Sequence, residues 1–306
     1  MVHVSSAPAP AAAIPGFREA ELIHQSGPRA IYRAVRETDA EAVVLKTLLS
    51  PYPRSRDVAE LKREFQIARR LDVDGVIRMH RLVTYGAGNL AIEMEPFGVS
   101  LADLMAGRGR QPLSLDAFFA IAIELAHILG RVHERGVVHK DVVPRNVLIE
   151  PRSATLRLID FGISSELSRE RQDVTLSRRL QGSLPYISPE QTGRMNRELD
   201  YRSDYYSLGI TFFELLTGRT PFAAGDALEW VHQHISQPPP SVHDLNSEVP
   251  EPLSAVVAKL ISKNAEERYQ STPGLIADLE YCRWQRERWG AISPFPLGRT
   301  DVSRRF

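Results

Sequence analysis

Hydrophobic and polar positions change their period along the chain. Between Ala20 and Leu49 short β-prone pieces, Ala30-Ile31-Tyr32-Arg33-Ala34 and Ala42-Val43-Val44-Leu45-Lys46, alternate with turn-like clusters, which predicts antiparallel hairpins. Pro51 and Pro53 close the strand. From Asp57, a good N-cap residue, to Leu71 the spacing becomes helical, with Leu61, Ala68 and Leu71 on one stripe. Glu64 falls on that stripe and so faces inward, where an ionised carboxylate is costly unless paired. Glu60 is the rival, but its helical neighbours Asp57 and Glu64 give it a solvated, like-charged face.

Beyond Gly98 the pattern is mainly helical, with 113–131, 202–217 and 253–260 as the principal helices. The most apolar stretch, Ala117 to Gly130, contains Glu124 and His127 and is too short to span a bilayer, so it reads as a buried core helix. No membrane anchor is expected in this chain. Met1 to Pro15 is rich in Ala, Pro and Ser without a basic start or apolar core, which reads as a disordered tail rather than a signal peptide.

Hydrophobic residues make up 43% and charged residues 25% of the 306, enough to build a core without staples. Lys plus Arg and Asp plus Glu both total 38, so net charge gives no reason to expect a nucleic-acid partner. The single cysteine, Cys282, excludes an intramolecular disulfide framework and fits a reducing, cytoplasmic setting.

Chemistry concentrates in His139-Lys140-Asp141-Val142-Val143-Pro144-Arg145-Asn146, followed by Asp160-Phe161-Gly162. Two carboxylates and an amide in that order suit phosphoryl transfer, with one group to orient a hydroxyl and two oxygen ligands for Mg²⁺. Val43-Val44-Leu45-Lys46 lies upstream; Ser188-Pro189-Glu190, Asp204 and Arg268 follow downstream. This ordered set resembles the eukaryotic-type (Hanks-type) serine/threonine protein kinase domain over about residues 16 to 285. The resemblance implies an α+β, two-lobed protein-kinase fold. A small antiparallel β N-lobe with one helix (about 16–95) precedes a larger, mainly helical C-lobe (about 98–285).

It also implies ATP and Mg²⁺ as cofactors and a residue for each task. Asp141 orients the attacking hydroxyl, Asn146 and Asp160 hold Mg²⁺, and Lys46, fixed by Glu64, contacts the α- and β-phosphates. Met94 lies behind the adenine, while the backbones of Glu95 and Phe97 bond its edge. Ser26 and Gly27 belong to the turn over the phosphates. Ser183 occupies the hydroxyl position near Asp141, which tilts the acceptor towards Ser or Thr. His139 is expected to brace the loop, Asp204 to receive its backbone N–H groups, and Arg268 to pair with Glu190.

The pattern also breaks. In place of GxGxxG stands His24-Gln25-Ser26-Gly27-Pro28-Arg29, where Pro28 has no N–H to offer a phosphate. A modified ATP lid and a plain hairpin both fit that stretch. Val143 stands where serine/threonine kinases usually carry a lysine that touches the γ-phosphate. Arg145 is nearby in sequence, without a direction that the sequence assigns. The segment Ile163 to Leu180 sets Ser164, Ser165, Ser168, Thr175 and Ser177 among Arg169, Arg171, Arg178 and Arg179, a candidate for phosphorylation and equally a solvated loop.

The stretch from Ser188 to Asp204, with Gln191-Thr192-Gly193-Arg194-Met195-Asn196-Arg197, narrows the resemblance. It is similar to the N-terminal kinase domain of bacterial multidomain proteins that add an ATPase module and a sensor histidine kinase. Residues 286–306 then resemble a linker towards such an ATPase module, absent from this chain, and imply a fragment or a free-standing relative. The expected function is a protein serine/threonine kinase acting on itself or a partner. The alternative is a pseudokinase scaffold that binds nucleotide weakly or not at all.

Overall fold

A computed structural model describes residues 14–86, 88–166, 182–194 and 199–302. The chain divides into two compact units, 14–72 with 76–97, and 73–75 with 98–302. The architecture is the α+β one that the resemblance implies, an antiparallel sheet with one helix and a larger helical unit.

The first unit is a five-stranded antiparallel sheet in the order β1-β2-β3-β5-β4. Its strands are β1 (Phe17–Ser26), β2 (Arg29–Arg36), β3 (Ala42–Leu48), β4 (Met79–Tyr85) and β5 (Asn89–Met94). Alternation along β2 sends Ala30, Tyr32 and Ala34 into a core with Phe17, Val43, Leu45 and Tyr85, while Arg33 stays outside. Ile14 is 2% exposed within that core, so the packed unit reaches into the stretch expected to be a disordered tail.

Helix α1 (Ser55–Leu71) buries Leu61, Glu64, Ile67, Ala68 and Leu71. It starts two residues before the expected cap: Arg54 is the N-cap and makes no side-chain cap bond, and Asp57 lies in the first turn. A carboxylate there complements the positive end of the helix dipole without terminating the helix.

The second unit carries α2 (Leu101–Gly107), α3 (Leu115–Glu134), α4 (Arg202–Thr217), α5 (Ala227–Ser236), α6 (Val242–Leu245), α7 (Glu251–Leu260) and α8 (Thr272–Trp289). Helix α3 contains the stretch read as a core helix and buries Phe118, Phe119, Ile121, Leu125, Ile128, Leu129 and Val132. It packs on α8, and a Cβ at Gly130 would lie 2.6 Å from Thr272 Oγ1, so only glycine admits the start of α8. Short strands β6 (Val99–Ser100), β8 (Val147–Ile149) and β9 (Leu156–Leu158) form one sheet, and β7 (Val137–Val138) pairs with β10 (Ser165–Glu166). These strands frame the His139–Asn146 loop.

Residues past α8 turn back along their own unit. Gln285 and Ser293 exchange bonds, Gly298 N donates to Asp278 Oδ2 at 2.7 Å, and Asp301 accepts from Gln270 N at 2.7 Å and Ser271 Oγ at 2.8 Å. Gly274 makes room for this return, since a Cβ there would approach Asp301 Cβ to 2.6 Å. Most of the stretch expected to be a linker is therefore fastened to α8, and α8 itself runs on to Trp289.

Candidate active site

In the first unit, strand pairing sets Lys46 opposite Ile31 on β2 and Ile92 on β5. Its Nζ lies 2.6 Å from Glu64 Oε1, and Glu64 is 1% exposed. The inward position of Glu64 on α1 places a carboxylate where the buried ammonium stands. Glu60 goes elsewhere, to Arg29 at 3.2 Å and Arg56 at 2.7 Å. A second buried carboxylate, Glu93 on β5, was not singled out from the sequence; Arg36 holds it at 2.6 Å and Arg81 at 2.5 Å, so it ties β2 and β4 across the sheet.

Strand β5 ends at the buried Met94. The N–H of Glu95 donates to Arg78 O at 3.0 Å, which commits that donor to the first unit's own backbone. Phe97 is half-buried, and the tip at Ser26 and Gly27 is exposed. Ser26 pairs with Arg29, leaving Gly27 and Pro28 as a two-residue connection, with Gly27 at φ 55°. Gly at the first central position followed by a residue fixed near −65° is the sign pattern of a type II′ hairpin turn.

In the second unit, four bonds converge on the carboxylate of Asp141. Oδ1 accepts from Ser183 N at 2.9 Å and Ser183 Oγ at 2.6 Å. Oδ2 accepts from Asn146 Nδ2 at 2.9 Å and Arg145 Nη2 at 3.3 Å. Asn146 Nδ2 also donates to Asp141 O at 2.9 Å. With its NH₂ turned to Asp141, the Asn146 amide presents its oxygen on the opposite side, the donor a hard cation requires. The backbone carbonyl of Asn146 accepts from Ile159 N at 2.9 Å, which ties the loop to the backbone immediately before Asp160. Asp160 adopts a left-handed φ of 66° and accepts from Gly162 N at 3.4 Å. Non-glycine residues avoid that region unless the surroundings hold them there.

His139 is fully buried. Its Nδ1 accepts from Asp141 N at 3.2 Å, so the proton sits on Nε2, which meets Ile159 O at 3.0 Å. A ring committed at both nitrogens, edge-on to Phe161 with centroids 4.7 Å apart, is a brace and not a base. Asp204 accepts from His139 N at 2.8 Å, Lys140 N at 2.6 Å and His133 Nε2 at 2.8 Å. Burial acts to raise its pKa, but the His133 bond, the nearby His133 and His139 and the His139 N–H outweigh it and hold the carboxyl below its usual value. Lys140 itself takes a φ of 70°, and Gln191 Nε2 supports its carbonyl at 2.8 Å. Gln191 went unremarked in this role, although it directly follows Ser188-Pro189-Glu190.

Glu190 and the fully buried Arg268 form a two-pronged pair at 2.6 and 2.9 Å. Two of the hydroxyls considered for regulation are corrected: Ser164 and Ser165 are buried, and Ser164 Oγ donates to His139 O at 3.3 Å. Residues 167–181, with Ser168, Thr175, Ser177 and the four arginines, lie outside the described residues.

The protein kinase domain family model matches residues 26–277. The chain belongs to the protein kinase domain family. Similar proteins include the serine/threonine-protein kinase PknB of Mycolicibacterium smegmatis, 34% identical over 60% of this chain and 28% of that protein. The serine/threonine-protein kinase pkn3 of Myxococcus xanthus is 30% identical over 89% of this chain and 51% of its own length. The hybrid signal transduction histidine kinase G of Dictyostelium discoideum is 33% identical over 56% of this chain and 7% of its own. This kinase domain thus spans about half the length, or less, of these curated relatives. No helix among the described residues is long and apolar enough to cross a membrane.

Proposed function

We propose that this kinase domain transfers the γ-phosphate of Mg-ATP to Ser or Thr hydroxyls, on itself or on a partner protein. The observation that carries the reading is the Asp141 carboxylate, held by Asn146 Nδ2 and by the N–H and hydroxyl of Ser183. A carboxylate fixed that way is aimed before substrate arrives, and phosphoryl transfer depends chiefly on positioning and charge neutralisation. Asp141 takes the acceptor's proton. Lys46, oriented by Glu64, meets the α- and β-phosphates, with Ser26 and Gly27 at the turn above them.

Met94 borders the adenine, and Glu95 and Phe97 bond its edge through their backbones. Since the Glu95 N–H serves Arg78, Glu95 contributes its carbonyl. Asn146 and Asp160 hold Mg²⁺, which neutralises phosphate charge when bound. The oxygen that the Asn146 amide presents supports that assignment. The hydroxyl of Ser183 against the Asp141 carboxylate supports Ser or Thr as the acceptor.

Use of Mg-ATP, together with the reducing setting that the single Cys282 fits, supports a cytoplasmic location. The similarity to a hybrid signal transduction histidine kinase of Dictyostelium supports a setting beside a histidine kinase module, and the resemblance of the Ser188–Asp204 stretch supports an ATPase module as a further neighbour. The test is transfer of labelled γ-phosphate to the chain and to a generic basic protein, wild type beside Asp141→Ala. Label confined to the wild type supports the kinase. A folded, ATP-binding chain that labels no more than Asp141→Ala rejects it in favour of a nucleotide-sensing scaffold, the reading that the Pro28 turn would then explain.

A further inference from the structure

The buried side of α8 carries Leu275, Leu279, Cys282 and Gln285. On the opposite side Tyr281 is 42% exposed, Trp284 47% and Trp289 57%. Exposed rings gathered in one patch mark a binding surface, whereas singly scattered ones do not. These rings are also held in place. Tyr281 stacks on Trp284 with centroids 5.6 Å apart, Trp284 meets Trp289 edge-on at 4.7 Å, and Phe295 on the returning tail meets Tyr281 edge-on at 4.8 Å. Rings braced against one another lose little freedom on docking, and Trp and Tyr are the side chains that dominate interface energies. The tail borders this face through Phe295 and leaves Trp284 uncovered.

Charges around Trp284 say what covers it. Glu280 precedes it by one helical turn, about 40° to one side; Arg288 follows it by one turn, about 40° to the other. Tyr281 and Glu287 are disposed in the same way, about 60° to either side and about 4.5 Å before and after. Glu280 and Arg288 are about 12 Å apart along the axis, too far to meet, and among the described residues neither has an ion-pair partner. Glu287 meets Arg283 only loosely, at 3.9 Å. A two-fold axis through Trp284, normal to this face, exchanges left with right and before with after. It sets Glu280 of one copy opposite Arg288 of the other twice over, Tyr281 opposite Glu287 twice, and Trp284 against itself.

We propose that the exposed face of α8 is a self-association surface, on which a second copy of this chain docks antiparallel, Trp284 at the centre and a Glu280–Arg288 pair on each side. The inference is independent of the phosphotransferase reading, since it is read by mass. One helix face from each copy buries little area, so the association is weak, with a Kd on the order of 10 to 100 μM. Sedimentation equilibrium of the wild-type chain from about 2 to about 300 μM spans that range and should show monomer passing to dimer. Trp284→Ala, which empties the centre in both copies, should weaken dimerisation about 30-fold or more. Glu280→Arg and Arg288→Glu should each do the same, because like charges then meet twice in every dimer. The double variant Glu280→Arg with Arg288→Glu should return the Kd to within about threefold of wild type, since it restores opposite charges with their places exchanged.

Far-ultraviolet circular dichroism should be unchanged in all four variants, as the three side chains are exposed. Rescue belongs to the antiparallel register alone: in a parallel pair position 288 faces Glu287, and the double variant stays as weak as the single ones. A wild type that remains monomeric over the whole range overturns the proposal and leaves the ring strip to a different polypeptide. A dimer that the single variants do not weaken overturns it too, by placing the interface elsewhere. Single variants that weaken without rescue in the double variant refute the two-fold pairing.

Discussion

Replacing Arg268 by Met should unfold the second unit far more easily while leaving the Asp141 loop chemically intact. The guanidinium is 0% exposed and gives two bonds to Glu190, at 2.6 and 2.9 Å. It also donates to the carbonyls of Ser262 at 2.8 Å, Arg202 at 2.8 Å and Lys263 at 3.2 Å. Methionine fills much of the volume but leaves Glu190 buried with Ser203 Oγ as its remaining side-chain donor at 2.7 Å. Burial acts to raise the Glu190 pKa; the Arg268 bond and charge and the Ser203 bond overcome it and hold the carboxyl low, so without Arg268 the desolvation is uncompensated.

Breaking one side of such a pair costs about 3–5 kcal/mol, comparable to a large share of a domain's whole stability. Trp230, Trp284 and Trp289, the chain's three tryptophans, all lie in the second unit, so their fluorescence in a urea titration reports that unit's unfolding. With a slope of about 2–3 kcal/mol per molar urea, a loss near 4 kcal/mol lowers the midpoint by roughly 1.3–2 M. The double variant Arg268→Met with Glu190→Leu should cost less than the sum of the single variants by about 1–3 kcal/mol. A midpoint for Arg268→Met within about 0.3 M of wild type would refute the view that this pair fastens the Ser188–Glu190 stretch to the helices of the second unit.

Lys46→Met leaves Glu64, 1% exposed, without its ammonium partner, and should lower the first unit's stability by about 3 kcal/mol as well as abolish labelling, read by circular dichroism and phosphate transfer together. His234 supplies a pH dependence. Burial first, and the charge of Lys263 second, push its pKa from 6.5 down to about 3. The folded state then binds the proton less readily than the unfolded, so stability is full above about pH 6.5 and falls as pH drops towards 3. Between pH 7 and pH 5 the loss is about 2 kcal/mol, and the urea midpoint of His234→Gln should lose that slope.

What the sequence disclosed is governed by local period or by strict chemical need. Glu64 was legible because an inward carboxylate on a helix stripe demands a cation, and Lys46 is the cation that the motif order provides. The helices around 115–134 and 202–217 were legible as mostly apolar runs too long for strands, and both are buried on nearly every side. Arg145 was named but could not be aimed, since a three-residue turn has no periodicity from which a side-chain direction follows. Ile14 was lost in a stretch whose composition is set by its neighbours. The return of residues 290–302 depends on contacts of Asp301 and Gly298 with Gln270, Ser271 and Asp278, partners too distant in sequence for any window to join. Its resemblance to the segment that leads into an ATPase module made the same stretch look like a linker.

That return has a mechanical consequence. Helix α8 has 18 residues, hence about 27 Å from end to end, and without the Asp301 contacts the chain would depart from its far end at Trp289. Instead, Asp301 is moored at Gln270 and Ser271, beside the helix's first turn. Tension applied beyond residue 301 is borne there, in shear across two short hydrogen bonds, before it can peel α8 from its last turn. The next residues inward are Tyr269 and Arg268, so a tug on the tail loads the buried Arg268–Glu190 pair and, through it, the segment that carries Gln191 to the carbonyl of Lys140.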